Sequence, residues 1–328
     1  MSLNEKPPQV SIIVANWNGA EWVHRCISSL QISARQSRLR FEIIVVDDAS
    51  TDGSPEAIAE RFPAVMLIRN DRNIGFARSI NHGANAARGA VVILCNNDLL
   101  PKEQFVAELA RPFFASTESE KRLRGGRPLF AVSAKTVGWY DGKPNQLCMG
   151  ARWRGGRITP AWSDPAEISE CLFAQAGAAA YSRKLWKKLG GLSTLYEPGY
   201  WEDYDLSWRA AKAGFAQLYN PRAYAIHVGG GSMQKRYGDA GVKAMKARNH
   251  LLFEAANIQS PALLLKWLFR IPVNLLQALG DPKRRIYARA LLEMTGRLPV
   301  AMAQRRRLRN AVTDHELLEP YRDFTSSF

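Results

Sequence analysis

The run VSIIVANWNG (residues 10–19) decides how this chain folds, together with three later runs of the same kind. Its first half is aliphatic and β-branched with little polar alternation, the pattern of a strand covered on both faces. It stops at a polar cluster, Asn16-Trp17-Asn18, and a helical pattern follows over Glu21 to Leu30. The unit then recurs. Phe41 to Val46 ends at Asp47-Asp48, followed by an Asp-Gly turn and a short helix from Pro55. Val65 to Ile68 precedes a helix over Phe76 to Ala87, and Ala90 to Cys95 ends at Asn96-Asn97-Asp98. Short apolar runs alternating with helices specify βαβ units around a mainly parallel sheet. Ligands of such sheets bind beyond the carboxyl ends of the strands, so the polar clusters belong at one crevice.

Farther along, the signals thin out. Leu129 to Ala134 and Cys171 to Tyr181 are strand-like around an Arg/Gly-rich middle, Arg152 to Arg157. A helix is expected from about Asp203 to Gly214 and a strand over Ala223 to Ile226. After Gly238 the pattern is helical to about Asn310. The 328 residues, 46% hydrophobic and 23% charged, have an ordinary globular composition. Cys26, Cys95, Cys148 and Cys171 form no C-x-x-C pair, so neither a zinc knuckle nor a disulfide framework is indicated. Scattered cysteines, with no apolar signal-peptide core over Met1 to Val10, suit a cytoplasmic protein.

Two common nucleotide signatures are missing. No G-x-x-x-x-G-K-[ST] occurs, and the loop after the first strand, Ala15 to Ala20, is not a G-x-G-x-x-G. A P-loop enzyme or a dehydrogenase is therefore disfavoured. A nucleotidyltransferase would want a basic, glycine-rich loop there, and this one has no basic residue.

What the chain does carry is an ordered series: VSIIVANWNG, IIVVDDASTDGS, NIGFARSIN, CNND, WEDYDLSWRAAKAG and HVGGGS. In order and spacing over roughly residues 8 to 250 it resembles the family 2 glycosyltransferases of GT-A fold, particularly their bacterial rhamnosyltransferase-like branch. The resemblance implies an α/β, Rossmann-like GT-A domain with a mainly parallel sheet flanked by helices, and an α-helical C-terminal extension. The expected division is 1–238 for the catalytic domain (8–125 for nucleotide-sugar, 126–238 for acceptor) and 239–328 for the extension. It implies an inverting glycosyltransferase of the hexosyltransferase type. That enzyme takes a sugar from a nucleotide-sugar, dTDP-rhamnose or a UDP-sugar, to a hydroxyl of a lipid-linked or cell-envelope glycan.

The same resemblance distributes roles. Donor nucleotide binding falls to Ala15, Asn16, Trp17, Asp48, Asn73, Gly75, Arg78 and Asn97, with Trp17 stacking on the base and Asp48 accepting from it. A helix N-terminus opening at Gly75 suits phosphate, and Arg78 either pairs with it or is an exposed surface arginine. Asn96-Asn97-Asp98 occupies the place of the D-x-D metal motif, where Mg²⁺ or Mn²⁺ would neutralise the diphosphate. Asp98 is its only carboxylate, which should weaken metal affinity, and His227 would complete the shell. Asp203 is the expected general base, Glu202 an orienting group, and Tyr200 and Trp201 the acceptor platform. Asp203 could otherwise cap the helix that follows, and Asp205 could pair with Arg209 four residues on. A hydrolase would need two flanking carboxylates and a water.

The net charge of +15 is uneven, with nine Lys/Arg against two acidic residues between Asp281 and Asn310. Pro261 to Leu279 is apolar, with Lys266, Arg270, Asn274 and Gln277 recurring at helical spacing, and no uncharged run of bilayer-spanning length exists. Two readings stay open. The helix lies on an anionic membrane, making the protein peripheral on the inner face of the cell membrane, or it packs on the catalytic domain with its polar stripe in water. A nucleic-acid-binding protein would account for the arginines but not for acidic motifs at strand ends. Nucleic acid is therefore not an expected partner. A catalytically idle, nucleotide-sugar-binding relative is disfavoured by the intact Glu202-Asp203.

Overall fold

The structure, a computed structural model, describes residues 6–229, 232–280, 285–308 and 311–325. The first half follows the sequence pattern closely: β1 (Val10–Asn16), α1 (Val23–Gln36), β2 (Phe41–Asp47), α2 (Ser54–Arg61), β3 (Met66–Arg69), α3 (Phe76–Ala86) and β4 (Val91–Asn96). Then come β5 (Leu99–Pro101), α4 (Phe105–Phe114), α5 (Glu118–Leu123), β6 (Leu129–Gly138), β7 (Pro144–Gln146), β8 (Cys148–Arg154), β9 (Arg157–Ser163), β10 (Ser169–Glu170) and β11 (Ala178–Ser182). The remainder is α6 (Arg183–Leu189), α7 (Glu202–Lys212), β12 (Ala216–His227), α8 (Ser232–Asn257), α9 (Pro261–Gly280), α10 (Arg285–Thr295), α11 (Leu298–Arg307) and α12 (Asp314–Leu318).

The main sheet runs β10-β12-β6-β11-β4-β1-β2-β3. Strands β1 to β4 are mutually parallel, as are β6 and β12, and β11 lies antiparallel between β4 and β6. Burial on both faces explains the unbroken apolar runs. Ile12 and Val14 pack with Ile27, Leu30, Phe105 and Leu109 of α1 and α4. Ile13, between them, faces Ile80 and Ala84 of α3 and shares its layer with Leu206 and Ala210 of α7.

A third core joins the C-terminal helices to α7 and the β8–β9 hairpin, through Leu251, Leu252, Phe253 and Trp267 against Phe173, Trp208 and Ile158. Three buried acids pin it. Glu254 accepts from the Ile158 amide at 2.9 Å and the Trp267 indole at 2.8 Å. Asp205 is described below. Asp314 pairs with Lys212 at 2.8 Å and accepts from the Gln259 and Ser260 amides at the start of α9, at 2.7 and 2.6 Å.

Sequence reading and structure part in three places. Cys171 to Tyr181 is strand only at its end, Ala178–Ser182. Its first part is held irregularly, with the Leu172 and Phe173 amides on Met149 O and the Ala174 amide on Ser207 Oγ. The Arg/Gly-rich middle, to which the sequence pattern assigned no element, is the paired end of the β8–β9 hairpin with Gly155 and Gly156 at its turn. The last helical region begins at Ser232, before Gly238, where φ 65° and ψ 166° break it.

Lys212 and Asp314 are almost wholly buried, so removing one charge strands the other. Lys212→Met should cost about 3–5 kcal/mol in chemical denaturation, and adding Asp314→Asn should recover much of that. A loss below about 1 kcal/mol in the single variant would mean that the pair does not anchor the C-terminal segment.

Candidate active site

The strand ends open onto one cleft of about 1260 Å³. It brings together Ala15, Asn16, Trp17, Asp48, Asn73, Gly75, Asn97, Asp98, Tyr200, Trp201, Glu202, Asp203 and His227. Of the sequence-predicted site residues only Arg78 is not part of its lining. Its half-exposed guanidinium pairs with Glu197 at 2.8 Å.

The nucleotide end is built on side-chain hydrogen bonds. Asn97 donates to Asn16 Oδ1 at 2.9 Å, and Asn16 in turn donates to Asp47 and Ser54 at 2.9 Å each. Asn16 is 1% exposed, so its side chain braces the loop and is largely turned away from the cleft. Gly19 is required here, because a Cβ would stand 2.2 Å from Asn97 Nδ2 and 2.3 Å from Asn16 Oδ1. Asp48 accepts from the Ile74 and Gly75 amides, at 2.8 and 2.9 Å, and from Asn70 at 2.9 Å. It thereby shapes the loop that starts α3, with Gly75 at φ 90°. Little of its acceptor capacity remains for a base.

Asp98 and His227 meet because β5 pairs antiparallel with β12, setting Leu99 opposite His227. His227 Nε2 lies 3.2 Å from Asp98 Oδ1. Two donors each about 2.1 Å from one ion at a right angle stand about 3 Å apart, so the pair has the bite for a single divalent cation. Among the described residues no group of three or more His, Cys, Asp or Glu converges as a metal shell. A cation held here would draw its remaining ligands from substrate and water. Gly230 and Gly231 of the HVGGGS motif lie outside the described residues.

At the opposite end α7 begins. Tyr200 and Trp201 both have positive φ, 70° and 80°, a costly conformation for bulky residues. Asn249 of α8 holds it: its amide donates to the carbonyls of Tyr196, Gly199 and Tyr200 at 2.5, 2.8 and 3.0 Å. The Trp201 ring stacks on His250, 4.1 Å between centroids and 12° between planes. This strained turn points the first turn of α7 into the cleft.

Burial pushes both acids of that turn above the ordinary carboxylate range, and Asp203 beside it adds to the rise at Glu202. They are not equivalent. Asp203 accepts from the Tyr204 amide at 2.9 Å and the Ala176 amide at 3.3 Å. Glu202 Oε2 is buried with no hydrogen-bond partner. Donors favour the charged form, and of two adjacent buried carboxyls only one ionises easily, so the anion resides on Asp203 and the proton on Glu202.

Several cleft residues carry no signal in the sequence. Arg236 lies 4.8 Å over the Trp17 ring, and Lys246 4.5 Å over that of Tyr200. Both belong to α8, which the sequence pattern assigns mostly to a separate extension. Only the basic pair Lys235-Arg236 close behind HVGGGS hinted at a cation here.

Asn249→Ala should lower stability by about 2–3 kcal/mol, since the Gly199 and Tyr200 carbonyls lose the Asn249 donor and Tyr196 keeps only the Gly199 amide. Asn249→Asp, with no N–H to give, should be at least as damaging in the same denaturation experiment. If both variants match wild type, the strained turn is held by something else.

Residues 11–118 match the family Glycosyl transferase family 2. Succinoglycan biosynthesis protein ExoO of Rhizobium meliloti (strain 1021) is 37% identical over 95 residues, 29% of this chain and 26% of that protein. The chain thus matches about a quarter of that curated relative's length. The mannosyltransferase PcManGT from Pyrobaculum calidifontis, solved with GDP-Man and Mn²⁺, superposes with a TM-score of 0.52 at 19% identity, over 91% of this chain and 74% of that one. S. aureus TarS 1-349, solved with UDP-GlcNAc, gives 0.57 at 15% identity over 90% and 83%. At such identities the superpositions establish the fold: a GT-A α/β domain with a mostly parallel central sheet and added C-terminal helices. The likeness to Glycosyl transferase family 2 in sequence is thus carried by residues 11–118, and the likeness in fold extends over about nine-tenths of the chain.

Proposed function

We propose that this protein is an inverting glycosyltransferase of the hexosyltransferase type in which Asp203 is the general base. One observation carries the reading: Asp203 lines the same cleft as the Asp98–His227 pair, and two backbone amides keep it the anionic member of its carboxyl pair. The acceptor hydroxyl attacks the anomeric carbon as the bond to the diphosphate breaks, and its proton passes to Asp203. One such displacement inverts the anomeric configuration. Protonated Glu202 has a hydrogen to donate and orients the acceptor or the transferred sugar. Trp17 stacks on the base, Tyr200 and Trp201 flank the acceptor, and Arg236 and Lys246 offer charge to the leaving diphosphate. Asp98 and His227 would hold a divalent cation, Mg²⁺ or Mn²⁺, whose contribution is to neutralise that diphosphate.

For the donor we propose dTDP-rhamnose or a UDP-sugar, in keeping with the rhamnosyltransferase-like motif series. The acceptor proposed is a lipid-linked or cell-envelope glycan, supported by the succinoglycan biosynthesis relative. A thermal-shift screen of nucleotide-sugars with and without Mg²⁺ or Mn²⁺ identifies the donor, because preferential binding stabilises the native state. Asp98→Ala should abolish the metal-dependent part of that shift and leave the unliganded melting temperature in place. An undiminished shift would remove Asp98 from the cation site.

Asp203→Asn keeps the shape and one of the two amide contacts but cannot take a proton. Turnover should fall by about 10²–10⁴-fold with donor affinity nearly unchanged. Because burial raises the pKa of Asp203, wild-type rate should be lost on acidification at a pH above the ordinary carboxylate range, and the Asp203→Asn variant should lack that limb. Glu202→Gln should cost less rate. Near-wild-type turnover in Asp203→Asn with a dead Glu202→Gln would exchange the two roles.

A further inference from the structure

An amphipathic helix on a soluble domain turns its apolar face inward. Helix α9 is apolar on both sides. Leu263 and Trp267 are buried against the C-terminal core, and Ala278 is buried as well. Yet Leu265, Phe269 and Leu276 are 55%, 67% and 68% exposed. At 3.6 residues per turn these three point within about 20° of the direction opposite Trp267. Leu268 and Val273, 48% and 40% exposed, widen the strip, and Pro272 lies within it. The polar stripe of the sequence reading is only half in water: Lys266 and Gln277 are exposed, Arg270 and Asn274 are half-buried, and leucine and phenylalanine stand exposed beside them.

What covers this face is indicated by charge. Lys266 borders the strip, and α10, packed against α9, carries Arg285 and Arg289 exposed. The stretch from Asp281 to Asn310 holds nine Lys/Arg against two acids in a chain of net charge +15. A second copy docking here would bring cations against cations. A surface with an apolar interior beneath negative headgroups complements both features at once. No described helix is long and apolar enough to cross a membrane.

We propose that α9 docks in the plane of an anionic phospholipid bilayer, with Leu265, Phe269 and Leu276 at acyl-chain depth and the neighbouring Lys and Arg on the headgroups. The inference does not rest on the proposed reaction, and its test requires no substrate. The full chain should co-sediment with vesicles of equimolar phosphatidylglycerol and phosphatidylcholine, sediment far less with phosphatidylcholine alone, and release as salt rises. Phe269→Asp combined with Leu276→Asp should weaken vesicle binding about tenfold or more, with an unchanged melting temperature because both side chains are exposed. Leu265→Gln with Leu276→Gln is the milder pair if the first melts early. Lys266→Glu should reduce binding only to the anionic vesicles. Equal partitioning to both vesicle types at every salt, or undiminished binding in both apolar pairs, would overturn the proposal. So would a dimer in light scattering that the apolar substitutions dissolve while wild type ignores vesicles.

Discussion

The cleft depends on a buried aspartate that never reaches it. Asp205, fully buried, accepts from the Tyr196 hydroxyl at 2.8 Å, Asn257 at 2.9 Å, Gln304 at 2.5 Å and Arg209 at 2.7 Å. Those donors come from the segment before the Tyr200-Trp201 turn, from α8, from α11 and from α7 itself. A buried carboxylate is tolerated only when its lone pairs are filled, and filling them here requires four segments to be in place together. The same requirement orients α7, and α7 carries Asp203 two residues earlier. Arg209 extends the lattice by donating to the Leu189 and Gly191 carbonyls at 2.6 and 2.7 Å.

This arrangement makes the C-terminal helices part of the site. Asn249 holds the strained turn, His250 backs Trp201, and Lys246 and Arg236 face the cleft, all from α8. Arg297 adds two more donations to the same turn, to the Leu195 and Glu197 carbonyls at 2.8 and 2.7 Å. Strain at Tyr200 and Trp201 persists because so many donors over-determine it. The conformation places two carboxyls side by side at the start of a helix, where the helix dipole favours an anion. That dipole and the backbone donors to Asp203 oppose the rise that burial imposes.

The two ends of the cleft use different physics. At the strand ends, small polar side chains lock backbone loops, and Asn16 and Asp48 are nearly consumed in doing so. In the proposed function, recognition of a nucleotide there would draw on backbone groups, the Trp17 ring and the Asp98–His227 pair. At the α7 end the fold itself raises a carboxyl group's basicity by excluding water from it.

The sequence by itself determined the parallel half of the sheet, because a strand buried on both faces must be apolar throughout and its polar stop marks the ligand edge. Ile12 to Val14, Ile43 to Val46 and Val92 to Leu94 meet that demand locally. The motif series also pointed to Asp98, Asp203 and His227 as neighbours, and the three line one cleft. The tertiary structure alone decided which side chains face ligand and which brace loops, because Asn16 and Trp17 look equally polar-adjacent until their partners are known. It alone joined α8 to the cleft, since the contacts of Asn249 with residues about fifty positions earlier are invisible to local periodicity. It alone set the face of α9 that turns outward. A helix apolar all round can seat either side on a core, and the choice was made by Glu254 drawing in the Trp267 indole.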